Sequence, residues 1–266
     1  MAYVSLIVDL GIQPRDPFVD KKTLEEVEQE PCHQIAILAD IPEQTVDYGG
    51  QIGEQPYRLS LNDSFKGVLK GFNFYAVPPR DADGKIISGR PDEFHPTNGI
   101  TKLATATGRK DVITSLDVSA LLGQWFMAEI EVKEQTDKNG KKDKDGNPLV
   151  YKYVRYKGGS SIPRAMRALI TAPVHTPLLV TFDSVTEETV KWLRADLRRT
   201  IKQAINYAGS NMEACIKAFE ARHGLSDGTQ AAAAGAAKPP ALPAAPKPAT
   251  APTGGGVADM DDDIPF

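Results

Sequence analysis

The chain has 266 residues, 41% hydrophobic and 25% charged, with a formal net charge of −4, a composition ordinary for one large or two small globular domains. No apolar run approaches the roughly 20 residues of a membrane helix. The opening MAYVSLIVDLGIQ lacks a basic start and is interrupted by Asp9, which argues against a signal peptide and for a first strand.

In chain order, residues 3–12 (YVSLIVDLGI), 33–41 (HQIAILADI), 55–61 (QPYRLSL) and 71–77 (GFNFYAV) are rich in β-branched and aromatic residues and bounded by Gly, Pro, Asn or Asp. That is the pattern of short strands. Residues 124–134 (QWFMAEIEVKE) and 149–157 (LVYKYVRYK) flank the polar TDKNGKKDKDGNP, which predicts a long-looped β-hairpin. A short helix is expected through 163–172 (PRAMRALITA), with Pro163 in its first turn, followed by a strand at 177–183 (PLLVTFD). Residues 186–209 read as one amphipathic helix, because Val190, Leu193, Leu197, Ile201 and Ile205 recur at three- and four-residue steps. A last helix starts near Ser210 and is stopped by Gly224. These elements predict a β-rich α+β fold: an OB-fold-like small β-barrel elaborated with extra strands and C-terminal helices, with a sandwich as the alternative. No internal repeat points to a solenoid.

Beyond about Gly224 the composition changes. AAAAGAAKPPALPAAPKPATAPTGGG has no aromatic residue and closely spaced prolines. Such a segment buries too little apolar surface to offset its ordering entropy, and its prolines favour extended conformations. The expected organisation is a domain at 1–224, a disordered linker at 225–258 and an acidic tip at 259–266. The acids beyond Gly224 are Asp227, Asp259, Asp261, Asp262 and Asp263, against Lys238 and Lys247, so the body is nearly neutral. Cys32 and Cys215 lie far apart in sequence, no disulfide framework is expected, and a reducing cytoplasm is the default.

Within the body the charges are segregated. Three windows hold no carboxylate. Residues 64–80 carry Lys66, Lys70 and Arg80 beside Phe65, Phe72, Phe74 and Tyr75; residues 95–110 carry Lys102, Arg109 and Lys110. Residues 146–182 carry Lys152, Arg155, Lys157, Arg164 and Arg167 beside Tyr151, Tyr153 and Tyr156. A surface free of carboxylates suits a phosphate backbone. In a strand alternate residues share a face, so Tyr151, Tyr153, Arg155 and Lys157 would present two rings for bases and two cations for phosphates. Stacking of about 1–3 kcal/mol per base tolerates any sequence and selects single strands. These four residues lead the candidate DNA-binding set, with Lys66, Lys70, Phe74, Tyr75, Lys102, Arg109, Lys110, Arg164 and Arg167 as a second group. The plainer alternative is that the tyrosines are half-buried core with hydroxyls at the rim. Phe72, Phe74, Phe126 and Trp192 fit a core better than a site, and Trp125 is ambiguous. The charges of the 137–145 loop serve solvation or, alternatively, close over a bound strand.

Enzyme signatures are absent from the sequence. The four histidines, His33, His95, His175 and His223, are not at metal-ligand spacing to another His or Cys. No Walker loop, dinucleotide fingerprint, nucleophile elbow or zinc-protease helix occurs. Gly158-Gly159-Ser160-Ser161 could offer backbone amides to a phosphate or make an ordinary turn. Asp143-Lys144-Asp145-Gly146-Asn147 resembles a calcium loop but lacks its closing Glu. No cofactor and no metal are expected.

The final residues, Asp259, Met260, Asp261, Asp262, Asp263, Ile264, Pro265 and Phe266, end in an apolar hook. A basic-rimmed pocket on a partner would take the ring and carboxylate of Phe266, with Ile264 and Pro265 adding contact and the aspartates long-range attraction. DDDIPF after an Ala/Pro/Gly-rich segment resembles the C-terminal tip of bacterial single-stranded DNA-binding proteins. The body is about twice the length of that family's OB domain and is more similar to phage-encoded single-stranded DNA-binding proteins, to which LATATGRKDV and LLGQWFMAEIEV are loosely alike. The resemblance implies a non-enzymatic protein of the infected bacterial cytoplasm. It would coat single strands in replication, recombination and repair, and recruit host or phage replication and repair enzymes through residues 259–266. Two other functions fit the same residues: a strand-annealing recombination protein, and a nuclease or other DNA-processing enzyme with an accessory tip. No membrane partner is expected, and a homo-oligomer is compatible with the sequence.

Overall fold

The computed structural model describes residues 1–20, 23–47, 54–65, 68–81, 83–136, 142, 146–148 and 150–225. Two long strands form its spine: β1 (Ala2–Val19) pairs antiparallel with β2 (Glu26–Asp47). β3 (Glu54–Ser60) extends the sheet beyond β2. Short strands follow: β4 (Ser64–Phe65), β5 (Val68–Leu69), β6 (Phe72–Asn73), β7 (Ala76–Val77) and β8 (Glu93–Phe94). Two helices, α1 (Gly99–Thr107) and α2 (Asp111–Ser115), precede the β9 (Trp125–Thr136) and β10 (Val150–Ser160) hairpin. β11 (Leu178–Val180) lies parallel to β1, and α3 (Glu187–Val190), α4 (Ala195–Ile201) and α5 (Asn211–His223) complete the order.

The sheet path is β10-β9-β1-β2-β3, with β11 added at β1 and β6 at β2. It is therefore a largely antiparallel sheet in a β-rich α+β protein. It does not close: no ladder joins β3 to β10 among the described residues, although the two approach each other. Instead Asp63, just past β3, holds Arg155 of β10 through two hydrogen bonds of 2.9 and 3.0 Å.

Both faces of the central strands are buried. Val4, Ile7, Ile35, Ile37 and Ala39 pack on one side with Phe94, Leu103, Val112 and Phe126. Leu6, Val8, Leu10, Ala36 and Leu38 pack on the other with Val190, Leu193, Leu197, Ile201 and Ile216. Helices on both faces explain why β1 and β2 read as nearly continuous apolar runs rather than as strict alternation.

Several elements differ from expectation. β1 and β2 run on as a polar ribbon to Val19↔Glu26, through Pro14 and Pro17. Register shifts fall between Gln13 and Arg15 and between Arg15 and Phe18, around those prolines, where a missing N–H is tolerated. The single helix expected at 186–209 is two. Thr186 caps α3 with a capping box, and Arg194 is extended before α4. The restart has a local cause: the Asp196 carboxylate accepts from the Leu197 amide and from Arg194, offering the backbone an alternative to continuing the first helix. Val190, Leu193, Leu197 and Ile201 are fully buried as their spacing implied, but Ile205 lies past α4 and is 59% exposed. The stretch expected to be a short helix at 163–172 is a 3-10 helix, Arg164–Leu169, after Pro163. α5 begins at its Ser210 cap and ends at Gly224, as expected. Among the described residues no helix is long and apolar enough to cross a membrane. The segment 226–266, including the proposed linker and tip, lies outside the described residues.

Candidate nucleic-acid interface

The β9–β10 hairpin forms as its sequence predicted, with Tyr156 opposite Ile130 and Val150 opposite Thr136. Its alternation is visible at residues 154–157. Val154 and Tyr156 face inward onto the first core, while Arg155 and Lys157 are exposed. Burial pushes the Tyr156 hydroxyl up to about 12. That tyrosine therefore belongs to the core. The backbones of Tyr151 and Tyr153, in β10, pair with Gln135 and Lys133 of β9, and the two tyrosine side chains lie outside the described residues.

The three acid-free windows, separate in sequence, are neighbours in the fold. α1, from the second window, packs against β10 of the third. Asn98, the cap of α1, donates to the Asn73 carbonyl of the first window at 2.8 Å. Phe72 lies so close to Gly99 that a Cβ there would meet its ring at 2.1 Å. The Asp63–Arg155 pair then ties the loop before β4 to β10, and the Lys70 amide bonds the Asp63 carbonyl at 2.8 Å.

Lys70, Lys102, Lys110, Lys157, Arg164 and Arg167 are exposed and make no ion pair among the described residues. Arg109 and Arg155 do not share that status. Arg109 grips Asp111 through two hydrogen bonds and the Ala120 carbonyl through a third, so it secures the α1–α2 corner. Arg155 is held by Asp63. Tyr75 is 45% exposed. Phe74 is a core residue, edge-on to His33 and Phe94 at 5.3 Å each. Lys66 and residues 259–266, with the partner-binding candidates Asp259, Asp261, Asp262, Asp263, Ile264, Pro265 and Phe266, lie outside the described residues.

Gly158, Gly159 and Ser160 are not a phosphate loop. They continue β10 opposite Glu129, Ala128 and Met127. A Cβ on Gly159 would sit 2.9 Å from the Phe126 ring and from the Tyr156 hydroxyl, so close packing accounts for that glycine.

The histidines are dispersed. His33 bonds Asp9 at 2.6 Å, His95 bonds Thr97, and His223 bonds the Phe219 carbonyl. No group of three His, Cys, Asp or Glu residues able to hold a metal occurs among the described residues. Cys32 is a buried free thiol and Cys215 a half-buried one.

One constellation was not anticipated from the sequence. Asp40, in β2, is fully buried. It accepts from Arg58 Nε and Nη2 at 2.8 and 3.2 Å, from Ser5 at 2.8 Å and from Tyr3 at 3.2 Å. His175 Nδ1 lies 2.6 Å away, and its Nε2 is 2.9 Å from Gln55 Oε1. Burial alone would raise the Asp40 carboxyl, but the hydrogen bonds and charge of Arg58, with His175 and Ser5, outweigh it and hold the group below its ordinary value. Trp192, expected to be core, is 38% exposed at the rim of this network. The signal was present in the sequence: a carboxylate in the apolar run IAILADI requires a partner.

No protein-family model, curated protein or solved structure matches this chain.

Proposed function

We propose that this is a sequence-tolerant single-stranded DNA-binding protein that coats exposed strands during replication, recombination and repair, without catalysing a reaction. The observation that carries the reading is the convergence of three carboxylate-free windows around β10 and α1. With it go exposed cations that have no ion pair among the described residues: Lys70, Lys102, Lys110, Lys157, Arg164 and Arg167. Cations left uncompensated on a nearly neutral body are suited to phosphates, and an open sheet leaves a strand-wide surface to track. In this reading the sheet is an OB-type barrel opened between β3 and β10. The acidic residues 259–266, so similar to the tips of bacterial single-stranded DNA-binding proteins, recruit replication and repair enzymes of an infected bacterial cell.

The deciding experiment is a binding titration of the full chain against labelled oligo(dT) and a matched duplex, at low and moderate salt and without magnesium. A strong preference for oligo(dT) that weakens with salt is expected. Equal or absent binding overturns the reading. Faster pairing of complementary strands in the same mixtures would identify the annealing alternative, and metal-dependent loss of substrate the nuclease.

A further inference from the structure

Beside the Asp40 network lies a cavity of about 320 Å³, whose lining includes Ser5, Arg58, Val174, Thr176, Thr189 and Trp192. That is the small end of the roughly 300–1,000 Å³ range of small-molecule sites. Its walls are fixed from beneath. Asp40 locks Arg58 and His175, so two of the polar groups facing the cavity cannot swing away without stranding a buried carboxylate. Arg58 spends Nε and Nη2 on that lock, and its Nη1 makes no hydrogen bond among the described residues.

The rim has the opposite character. Trp192 is exposed, with the Arg58 guanidinium 5.3 Å and the Lys191 ammonium 5.6 Å from its ring centroid, and His175 edge-on at 5.6 Å. A network that merely anchored the segment around His175 would have no use for an exposed indole with two cations near its ring. Val174 on the same lining is 57% exposed, so the mouth is apolar as well. A planar aromatic ligand with carbonyl acceptors, close to an anion, matches these walls: indole for its face, Nη1 and the Thr176 hydroxyl for its edge, Lys191 for its charge. Chain continuity supplies a route. The end of β10 and the segment leaving it carry Lys157, Arg164 and Arg167 on the surface before the chain reaches Val174 and His175.

We infer that the Arg58–His175–Trp192 cavity captures a single nucleobase, taken from a strand held along Lys157, Arg164 and Arg167. The strand as the source of the base rests on the single-stranded DNA reading above. The base itself does not, since a free nucleotide offers the same chemistry.

The test uses the full chain in a Trp125→Phe background, so that Trp192 alone reports. Oligo(dT) carrying 5-iododeoxyuridine is photocrosslinked and the attachment site mapped. Thymidine monophosphate is titrated by tryptophan quenching. Crosslinks at Trp192 or residues 174–176 are expected. Trp192→Ala should weaken oligo(dT) binding roughly fivefold to a hundredfold, the worth of one stacked base, and Trp192→Phe should restore most of it. Oligo(dT) bound as tightly by Trp192→Ala, with crosslinks elsewhere, overturns the base pocket and leaves the single-strand reading intact. Quenching by the mononucleotide without oligo(dT) binding sustains the pocket and overturns the strand reading. No response to either ligand overturns both.

Discussion

Arg58 clamps Asp40 with two hydrogen bonds, and neither side chain is more than 14% exposed. The pair joins β2 to β3 beneath the segment carrying His175, so the sheet edge and the cavity floor depend on one carboxylate. Asp40→Asn would leave the guanidinium buried without its counter-charge, a loss of about 3–5 kcal/mol. Equilibrium urea unfolding at neutral pH measures it. Because the folded Asp40 carboxyl is depressed, its contribution is present above the unfolded value, about 3.9, and is lost as pH falls through the folded value. Wild-type stability should therefore drop below about pH 4, and Asp40→Asn should flatten that part of the curve.

His33 behaves with the opposite sign. Its hydrogen bond to Asp9 raises it, with burial opposing and the Asp9 charge assisting. The stability it contributes is complete below its unfolded value, about 6.5, and disappears as pH rises through the higher folded value. The ring is 39% exposed, so solvent screening limits the effect to about 1 kcal/mol or less. An NMR titration of the His33 ring should give a midpoint above 6.5. A midpoint at or below that value would show that the Asp9 hydrogen bond does not persist in solution.

How far the sequence reached depended on whether an interaction was local. The β9–β10 hairpin, the caps of α5 and the buried spacing of Val190, Leu193, Leu197 and Ile201 follow from alternation, helical period and capping chemistry within a few residues. α1 went unread because GITKLATAT opens on a Gly and carries three Thr among its nine residues. Its signals were the flanking caps, Asn98 bonding the Ile100 amide and Gly108 in the left-handed region. The restart at Arg194 and the ribbon through Pro14 and Pro17 went unread because one side chain and two bulges override the local pattern. Among the site candidates, exposure at Lys157, Arg164 and Arg167 followed from the charge windows. The pairing of Arg155 with Asp63, 92 residues away, could not. Nor could the meeting of Asp40, Arg58, His175 and Trp192, which only the tertiary fold assembles.

Gly159 separates a packing role from a phosphate-binding one. Gly159→Ala forces its Cβ against Phe126, the Tyr156 hydroxyl and, at 3.2 Å, the Met127 carbonyl. Overpacking of this kind costs about 1–3 kcal/mol. The melting temperature should fall, while oligo(dT) affinity below the transition stays as in the wild type. Loss of affinity with an unchanged melting temperature would return the glycine to the binding surface.

Lys157, Arg164 and Arg167 should act through phosphates rather than bases. Replacing all three with alanine is expected to leave stability within about 0.5 kcal/mol, since they are exposed and make no ion pair among the described residues. The slope of log affinity against log salt should become shallower by about 0.7 for each phosphate that is no longer neutralised. An unchanged slope would move the strand's path off this ridge.

In the proposed reading the acidic residues 259–266 act on the same cations with the opposite sign. Asp259, Asp261, Asp262 and Asp263 concentrate negative charge on a chain whose body is close to neutral. In the proposed reading, and as the resemblance to single-stranded DNA-binding proteins implies, these aspartates compete with DNA phosphates for the body's cations that lack carboxylate partners among the described residues. Removing residues 259–266 should therefore raise oligo(dT) affinity severalfold at low salt. The gain should shrink at moderate salt, where charges more than about 10 Å apart are screened. Replacing the four aspartates with asparagine while keeping Ile264, Pro265 and Phe266 should reproduce the gain, because the competition is electrostatic. Replacing Phe266 with alanine should not, because it removes no negative charge and, in the proposed reading, the ring serves a partner enzyme. If truncation lowered affinity at every salt concentration, the segment would be part of the DNA-binding surface, and the division between a binding body and a recruiting tip would be wrong.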